Sequence, residues 1–413
     1  MNRLFKEADI LIPRTDAPEK WAVIACDQFT SDKAYWQRVR DAVGKAPSTL
    51  NMIIPECDLG SINEDERIKE INAKMKQYLT EGVFDEYKNS YVYVERTMEN
   101  GAVRPGLLGV VDLEQYDYSP DSEAMIHATE KTVVERIPPR VRVRKDAALE
   151  FPHVIMLCDD YEKRIVETAT KNAARMKVLY DFDLIEDGGH ICGRLVDAET
   201  AREINEQFKK YCDTMEERYR GADGKPFLFA IGDGNHSLAT AKTCYENLKA
   251  QGADTGALEL ARYSLVELEN IHDPSIVFEP IHRIIFGADI EKLLAELRDK
   301  CCADTGFEIE WIAGSRRGRL TLDEKKGELA VAVLQHFLDD YLSENAGEID
   351  YIHDDPALIE LASGEDAIGF LLPPMEKGQL FLGVMADGVL PRKTFSMGHS
   401  REKRYYLEGR RIR

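Results

Sequence analysis

The chain has 413 residues, of which 44% are hydrophobic and 31% charged, and a formal net charge of −21 at pH 7. That length holds two or three domains and at least one sizeable core, and the composition excludes a disordered or fibrous chain. No apolar run approaches the roughly 18 residues of a membrane span, and the acidic balance opposes non-specific contact with nucleic acid.

Met1 to Glu7 carries no apolar signal core, so nothing points to export. The eight cysteines are scattered without a C-x-x-C pair, which argues against a disulfide or zinc framework and for a reducing cytoplasm. Basic residues cluster locally, in Arg136 to Lys145 and in Pro391 to Arg413.

In chain order, Ala8–Pro13 and the apolar Trp21–Cys26 read as strands, the second running into the polar turn Asp27 to Asp32. A helix is expected over Lys33–Val43, capped by Ser31 or Asp32, and another over Ser61–Leu79, capped by Ser61 or Asn63. Ser90–Thr97 and Val103–Leu113 flank the Asn100-Gly101 pair typical of hairpins. Strands over Pro152–Leu157 and Gly188–Val196 alternate with helices over Tyr161–Lys177 and Ala198–Tyr219. The apolar Phe227–Ile231 gives way to Gly232-Asp233-Gly234-Asn235-His236-Ser237 and then a helix to about Lys249. Strands at Arg262–Leu268 and Phe278–Phe286 follow, then a helix over Ile290–Lys300, a hairpin and further helices. The pattern is that of an α/β protein with a mixed α+β sheet. It divides into an N-terminal segment (1–95), a core (96–288) and a C-terminal lobe with a basic tail (289–413).

The Gly232 turn is the richest site candidate. A strand that passes through two glycines into a helix points N–H groups at one spot, with the helix dipole behind them. Such a turn binds phosphate or carboxylate. Asp233 and His236 then stand at its mouth, able to position a proton, a metal or a hydroxyl. The competing reading is a tight turn in which Asp233 and Asn235 cap the helix and His236 packs against it. Neither a Walker loop nor a Gly-x-Gly-x-x-Gly fingerprint is present. In Thr129 to Arg142, the pair Pro138-Pro139 is expected to hold the backbone extended. There Arg136, Arg140 and Arg142 either fork onto an anion or form a solvated basic stretch. Alternation puts His282 and Arg283 on opposite faces of a strand, His282 reading as a core histidine. Arg392 in the tail either serves a site or pairs charge internally, and His190 is a lesser candidate. No metal-ligand spacing occurs, which leaves only Mg²⁺ held through a phosphate and gives no reason for zinc or haem.

These stretches resemble the DUF1015 family of prokaryotic proteins (domain of unknown function 1015). The resemblance rests on Ile126 to Arg140 with its Thr129-Glu130-Lys131-Thr132, and on Gly232 to Thr240. It extends through Glu269 to Pro274, Pro280 to Arg283 and Pro391 to Thr394. The family's Asp-Gly-His-His-Arg-Tyr turn carries over to Asp233, Gly234 and His236, with Asn235 for the first histidine and Ser237 for the arginine. The turn is also similar to one in the ParB and sulfiredoxin-like group, whose members phosphorylate free serine, hydrolyse CTP or reduce a sulfinic acid with ATP. That similarity implies a ParB/sulfiredoxin-like core and a nucleotide-phosphate site using ATP or ADP with Mg²⁺. Gly232, Gly234, Asn235 and Ser237 would then hold phosphate, and Arg136, Arg140 and Arg392 would neutralise it. His236 would stabilise the transferring group, with Asp233 or Glu130 as base or Mg²⁺ holder. The expected partner is a small hydroxylated metabolite, with neither nucleic acid nor membrane. The alternative is a non-catalytic sensor of a small anion in the same pocket.

Overall fold

In the computed structural model, residues 4–119, 122, 124–132, 137–151, 153–220, 225–324, 329–364 and 366–413 are described. A ten-stranded mixed sheet organises them. Its strands are β1 (Phe5–Lys6), β2 (Val92–Thr97), β3 (Val103–Asp112), β4 (Tyr116–Asp117), β5 (Ile126–Ala128), β6 (Ile155–Cys158), β7 (Lys177–Asp183), β8 (His190–Leu195), β9 (Phe229–Asp233) and β10 (Tyr263–Asn270). The order is β7-β8-β2-β3-β10-β6-β9-β5-β4, with β1 on β3. β6 runs parallel to β10 but antiparallel to β9, which in turn runs parallel to β5.

The period-2 alternation of these strands feeds two cores. Tyr93, Leu107 and Val111 enter one, while Val92, Val94, Leu108 and Val110 enter the other. This explains why β3 is buried from Arg104 to Asp112: both faces are covered. A five-stranded sheet holds β11 (His282–Phe286), β12 (Gly306–Ala313), β13 (Arg316–Asp323), β14 (Glu348–Ile352) and β15 (Ala367–Leu371), in the order β13-β12-β15-β11-β14.

Helix α1 (Lys33–Val43) is capped by Asp32, whose carboxylate accepts from the Tyr35 N–H, and α2 (Glu64–Thr80) by Asn63 in the same way. Four expectations need correction. Pro138 and Pro139 do not hold an extended segment; they lie in the first turn of α3 (Ile137–Arg144), where a helix does not need their missing N–H. The helix expected from Tyr161 begins only at Val166, because the Asp160 carboxylate takes the Arg164 and Ile165 amides and holds the intervening residues in a turn. It gives out by Arg175, and β7 starts at Lys177. Of Trp21–Cys26 only Val23–Ile24 pairs as strand, since Pro18 opens a short helix that ends at Trp21. Phe278–Phe286 splits between two sheets: Phe278–Pro280 pairs with Phe395–Met397, and His282–Phe286 is β11. Helix α4 (Ala198–Arg218) follows the sequence reading to within a residue. Among the described residues, no helix is long and apolar enough to cross a membrane.

Candidate functional site

Strand β9 stays buried through Ile231 and ends at Gly232 and Asp233. Gly234 then adopts φ 79°, the left-handed conformation, and turns the chain into α5 (Asn235–Ala250). Glycine is required twice over here. Its φ disfavours any side chain, and a Cβ would lie 2.9 Å from the Val154 Cα.

Among the described residues, no side-chain hydrogen bond caps α5 at Gly234. The Asp233 carboxylate instead accepts from the neighbouring Gly234 amide at 2.8 Å, and the Ser237 amide donates to the Gly234 carbonyl at 2.9 Å. Two amides expected to face a phosphate, those of Gly234 and Ser237, are therefore spent within the turn, and Asn235, between them, is the first helical residue. The Asn235 side chain is a tie between segments, not a cap. Its Oδ1 accepts from the Thr129 amide at 3.3 Å and its Nδ2 donates to the Ile231 carbonyl at 3.4 Å. The Thr129 hydroxyl donates to the same carbonyl at 2.6 Å. These bonds place Glu130, the next residue, beside the turn.

The basic tail docks on the same edge. The Leu390 amide donates to the Thr129 carbonyl at 2.7 Å, and Leu390 bridges Glu130. Arg283 is fully buried and holds two carbonyls just beyond, donating to that of Arg392 at 3.0 Å and that of Lys393 at 2.8 Å. Further along, Arg96 of β2 donates to the Arg401 carbonyl at 3.0 Å and Arg104 of β3 to that of Glu402 at 3.1 Å. Below them, Arg104 pairs with Glu269 at 3.0 Å and Arg404 with Glu267 at 2.6 Å, all four buried. The two sheets thus grip residues 390–404 through buried guanidinium groups, and Lys403 comes to 3.5 Å from Asp233.

What results is a cavity of about 930 Å³. Glu130, Arg140, Gly232, Asp233, Gly234, Asn235, His236, Ser237 and Arg392 all line it; Arg136 lies outside the described residues. Six lysines and arginines and four of the chain's nine histidines face seven carboxylates across it. In a chain of charge −21 the lining is close to balanced, its cationic groups nearly matching its carboxylates when the histidines are neutral. Burial pushes the Glu130 carboxyl above the usual range; Lys393 and Lys403 pull it back, and the charge of Asp233 raises it again. Arg140 reaches the cavity already ion-paired with Glu56.

The sequence reading missed a second wall. Asp27 follows the buried Val23–Ile24 strand, and its carboxylate lies 3.8 Å from the His153 Nε2. The His153 Nδ1 meets the Tyr406 hydroxyl at 3.0 Å, and that hydroxyl lies 3.2 Å from the Cys26 Sγ. Despite burial, His153, Gln28 and Arg140 hold the Asp27 carboxyl below its ordinary range. Burial, then Asp27, pushes the Cys26 thiol up to about 12, so it is no nucleophile at neutral pH. A usable signal was present, since Trp21–Asp32 repeats the pattern of an apolar stretch breaking into polar residues that marked the Gly232 turn.

His190 and His282 lie outside the cavity. The half-exposed His190 sits between Asp181 at 2.6 Å and Asp183 at 2.8 Å. His282 is the core histidine expected, bonded to Asp355 at 2.7 Å and accepting the Leu372 amide at 3.1 Å. The tail is divided: Arg404 and Arg410 pair with buried glutamates, while Arg392, Lys393 and Lys403 face the cavity.

Comparison with known proteins places the chain. A family profile described as "Protein of unknown function (DUF1015)" matches residues 11–406, and the chain belongs to that family. No curated protein matches it significantly. Among solved structures it is similar to SbnI with C-terminal truncation from Staphylococcus aureus, at 12% identity and a TM-score of 0.37, over 72% of this chain and 85% of that one. It is similar to a free serine kinase in complex with AMP at 11% identity and a TM-score of 0.37, over 72% and 90% of the two chains. A conserved hypothetical protein from Pyrococcus furiosus gives 11% and 0.34 over the same shares. Scores of this size assign no activity.

Proposed function

We propose that this DUF1015 protein binds the polyphosphate of ATP or ADP, with Mg²⁺, at the first turn of α5 and transfers a phosphoryl group to a small hydroxylated metabolite. One observation carries the reading: residues separated by more than 250 positions, from Glu130 to Lys403, line a single cavity at the start of α5. Phosphoryl transfer asks a protein mainly for positioning and electrostatic stabilisation, and this wall supplies both. The dipole of α5 and the charges of Arg392, Lys393 and Lys403 neutralise the phosphates. Arg140 contributes through its pair with Glu56. His236, in the first turn, stabilises the group in transit.

The division of labour between the two carboxylates follows from their partners. Asp233 is committed to the Gly234 amide and Lys403, so it shapes the turn. Glu130, raised in pKa by burial, takes the acceptor's proton. Mg²⁺ carried in with the nucleotide would be held through its phosphates beside Asp233 and would supply positive charge there, leaving Glu130 as the base. The turn also supports a ParB/sulfiredoxin-like core around β5, β6 and β9.

The test is a screen of hydroxylated amino acids, sugars and polyols with Mg-ATP, read by mass spectrometry for a mass gain of one phosphoryl group. His236→Ala should lower turnover more than it lowers nucleotide affinity. Binding of ATP or ADP without turnover on any acceptor would turn the reading into that of a sensor. No binding of any polyphosphate would end it.

A further inference from the structure

A second, apolar cavity of about 450 Å³ adjoins the first. The two share a wall made of Cys26, Thr30, Glu56, Arg140, His153 and Ser237. We propose that this cavity receives the flat heteroaromatic base of the nucleotide whose phosphates occupy the polar cavity; the assignment rests on the nucleotide reading above.

The volume lies within the roughly 300–1,000 Å³ of small-ligand pockets. What lines it separates a base from other apolar groups. Met52, Met75 and Phe151 offer polarisable or aromatic contacts, which favour a π-system over a sugar or an amino acid. The edges carry polar groups, the hydroxyls of Ser237, Thr240 and Ser264 and the carboxylates of Glu64 and Glu150 among them. Thr240 and Ser264 already donate, to the His236 carbonyl and to Glu150, and keep lone pairs that an alkyl chain does not need and the amino group of a base does. Arg140 stands between the cavities, and a guanidinium there can stack on a ring while facing the phosphates.

The helix supplies the track between the two ends. Ser237 and Thr240 are three residues apart and so share one face of α5. At about 1.5 Å rise per residue, Thr240 lies about 9 Å along the axis from Gly234. A molecule anchored by phosphate at the Gly234 turn and extended along that face reaches the apolar cavity with its far end. A ribose joining phosphates to a base is a linker of this kind.

The experiment is titration calorimetry of the full chain with Mg-ATP, tripolyphosphate and octyl phosphate, repeated on two cavity-filling variants. Val143→Trp acts from α3, and Leu59→Trp from an exposed part of the wall, where a bulky residue is tolerated more readily. Wild type should bind ATP at least about ten-fold tighter than tripolyphosphate. Each variant should lose about ten-fold for ATP and change tripolyphosphate by less than about two-fold. Equal affinity for ATP and tripolyphosphate, or variants that leave ATP untouched, would overturn the base pocket and spare the phosphate site. Octyl phosphate binding as tightly as ATP, and weakened by the same variants, would overturn it in favour of an aliphatic chain. If wild type binds neither polyphosphate, the nucleotide reading itself fails and takes this assignment with it.

Discussion

Replacing Gly234 by alanine tests the turn on which the site is built. At φ 79° an alanine occupies the left-handed region, at about 1–2 kcal/mol above its preferred backbone. Its Cβ would lie 2.9 Å from the Val154 Cα and 3.1 Å from the Val154 Cγ2, and a backbone atom cannot swing aside. Forcing such an overlap adds about 1–3 kcal/mol, while the stiffer unfolded chain offsets about 0.4–1 kcal/mol. The net expectation is a loss of about 1–5 kcal/mol, with about 3 kcal/mol at the middle of the range. Gly232 is the matched control. Its added Cβ would meet the Leu157 Cδ1 at 2.7 Å, the Leu157 Cγ at 2.8 Å and the Met397 Cε at 2.9 Å, all side-chain atoms that can shift without moving the backbone, at ordinary φ. Gly232→Ala should therefore cost only about 1 kcal/mol. Urea unfolding followed by the fluorescence of the chain's three tryptophans measures both variants on one scale. Gly234→Ala should also lose the stabilisation that a polyphosphate gives the wild type, while still unfolding cooperatively. If Gly234→Ala is no more destabilised than Gly232→Ala, the strained, packed turn is not there and the argument for its role collapses. A valine at 234 adds β-branching to the same clash and should destabilise further.

Arg283→Met should destabilise by about 3 kcal/mol, because the Gln335 side chain and the Arg392 and Lys393 carbonyls lose a buried donor; it should also weaken polyphosphate binding measured by calorimetry, and unchanged binding would refute its hold on the site loop. Arg140→Gln leaves Glu56 without its ion pair and should weaken polyphosphate binding about ten-fold, with a smaller loss at high salt. His190 is raised in pKa first by its bond to Asp183 and then by Asp181, so its contribution is present below the unfolded value of about 6.5 and fades as pH rises through the folded value. His190→Asn should thus lose about 0.5 kcal/mol near pH 5.5, a small figure because the group is half-exposed, and the gap to wild type should close in alkali; a gap that widens with pH would contradict the pairing.

Local chemistry was legible wherever one segment decides its own structure. Asp32 and Asn63 cap helices whose starts the sequence marked, and the Gly232 turn announced itself through glycines after an apolar strand. Reading failed where a side chain overrode local preference. Asp160 consumes two amides and delays a helix, and two prolines open a helix instead of blocking one. The Asp27 wall was passed over because its partner, His153, is 126 positions away, and nothing in either segment names the other.

The same logic explains why the basic tail was ambiguous. Arg404 and Lys403 are neighbours in sequence, yet one is buried against Glu267 and the other faces Asp233 in the cavity. Local pattern gives them one description, a charged stretch. Their roles separate only because β2 and β3 carry Arg96 and Arg104 inside the fold, where those guanidinium groups capture the Arg401 and Glu402 carbonyls and fix how the loop is rotated. Buried arginines are energetically expensive unless their donors are satisfied. Here they are answered in part, Arg104 by Glu269 on β10 and both by the backbone of the tail, while among the described residues the Arg96 Nε has no hydrogen-bond partner and burial pulls that guanidinium down to about 10. The cationic groups that face the cavity are held by cationic groups that do not, which is why removing Arg283, a residue the cavity does not touch, is expected to disturb binding.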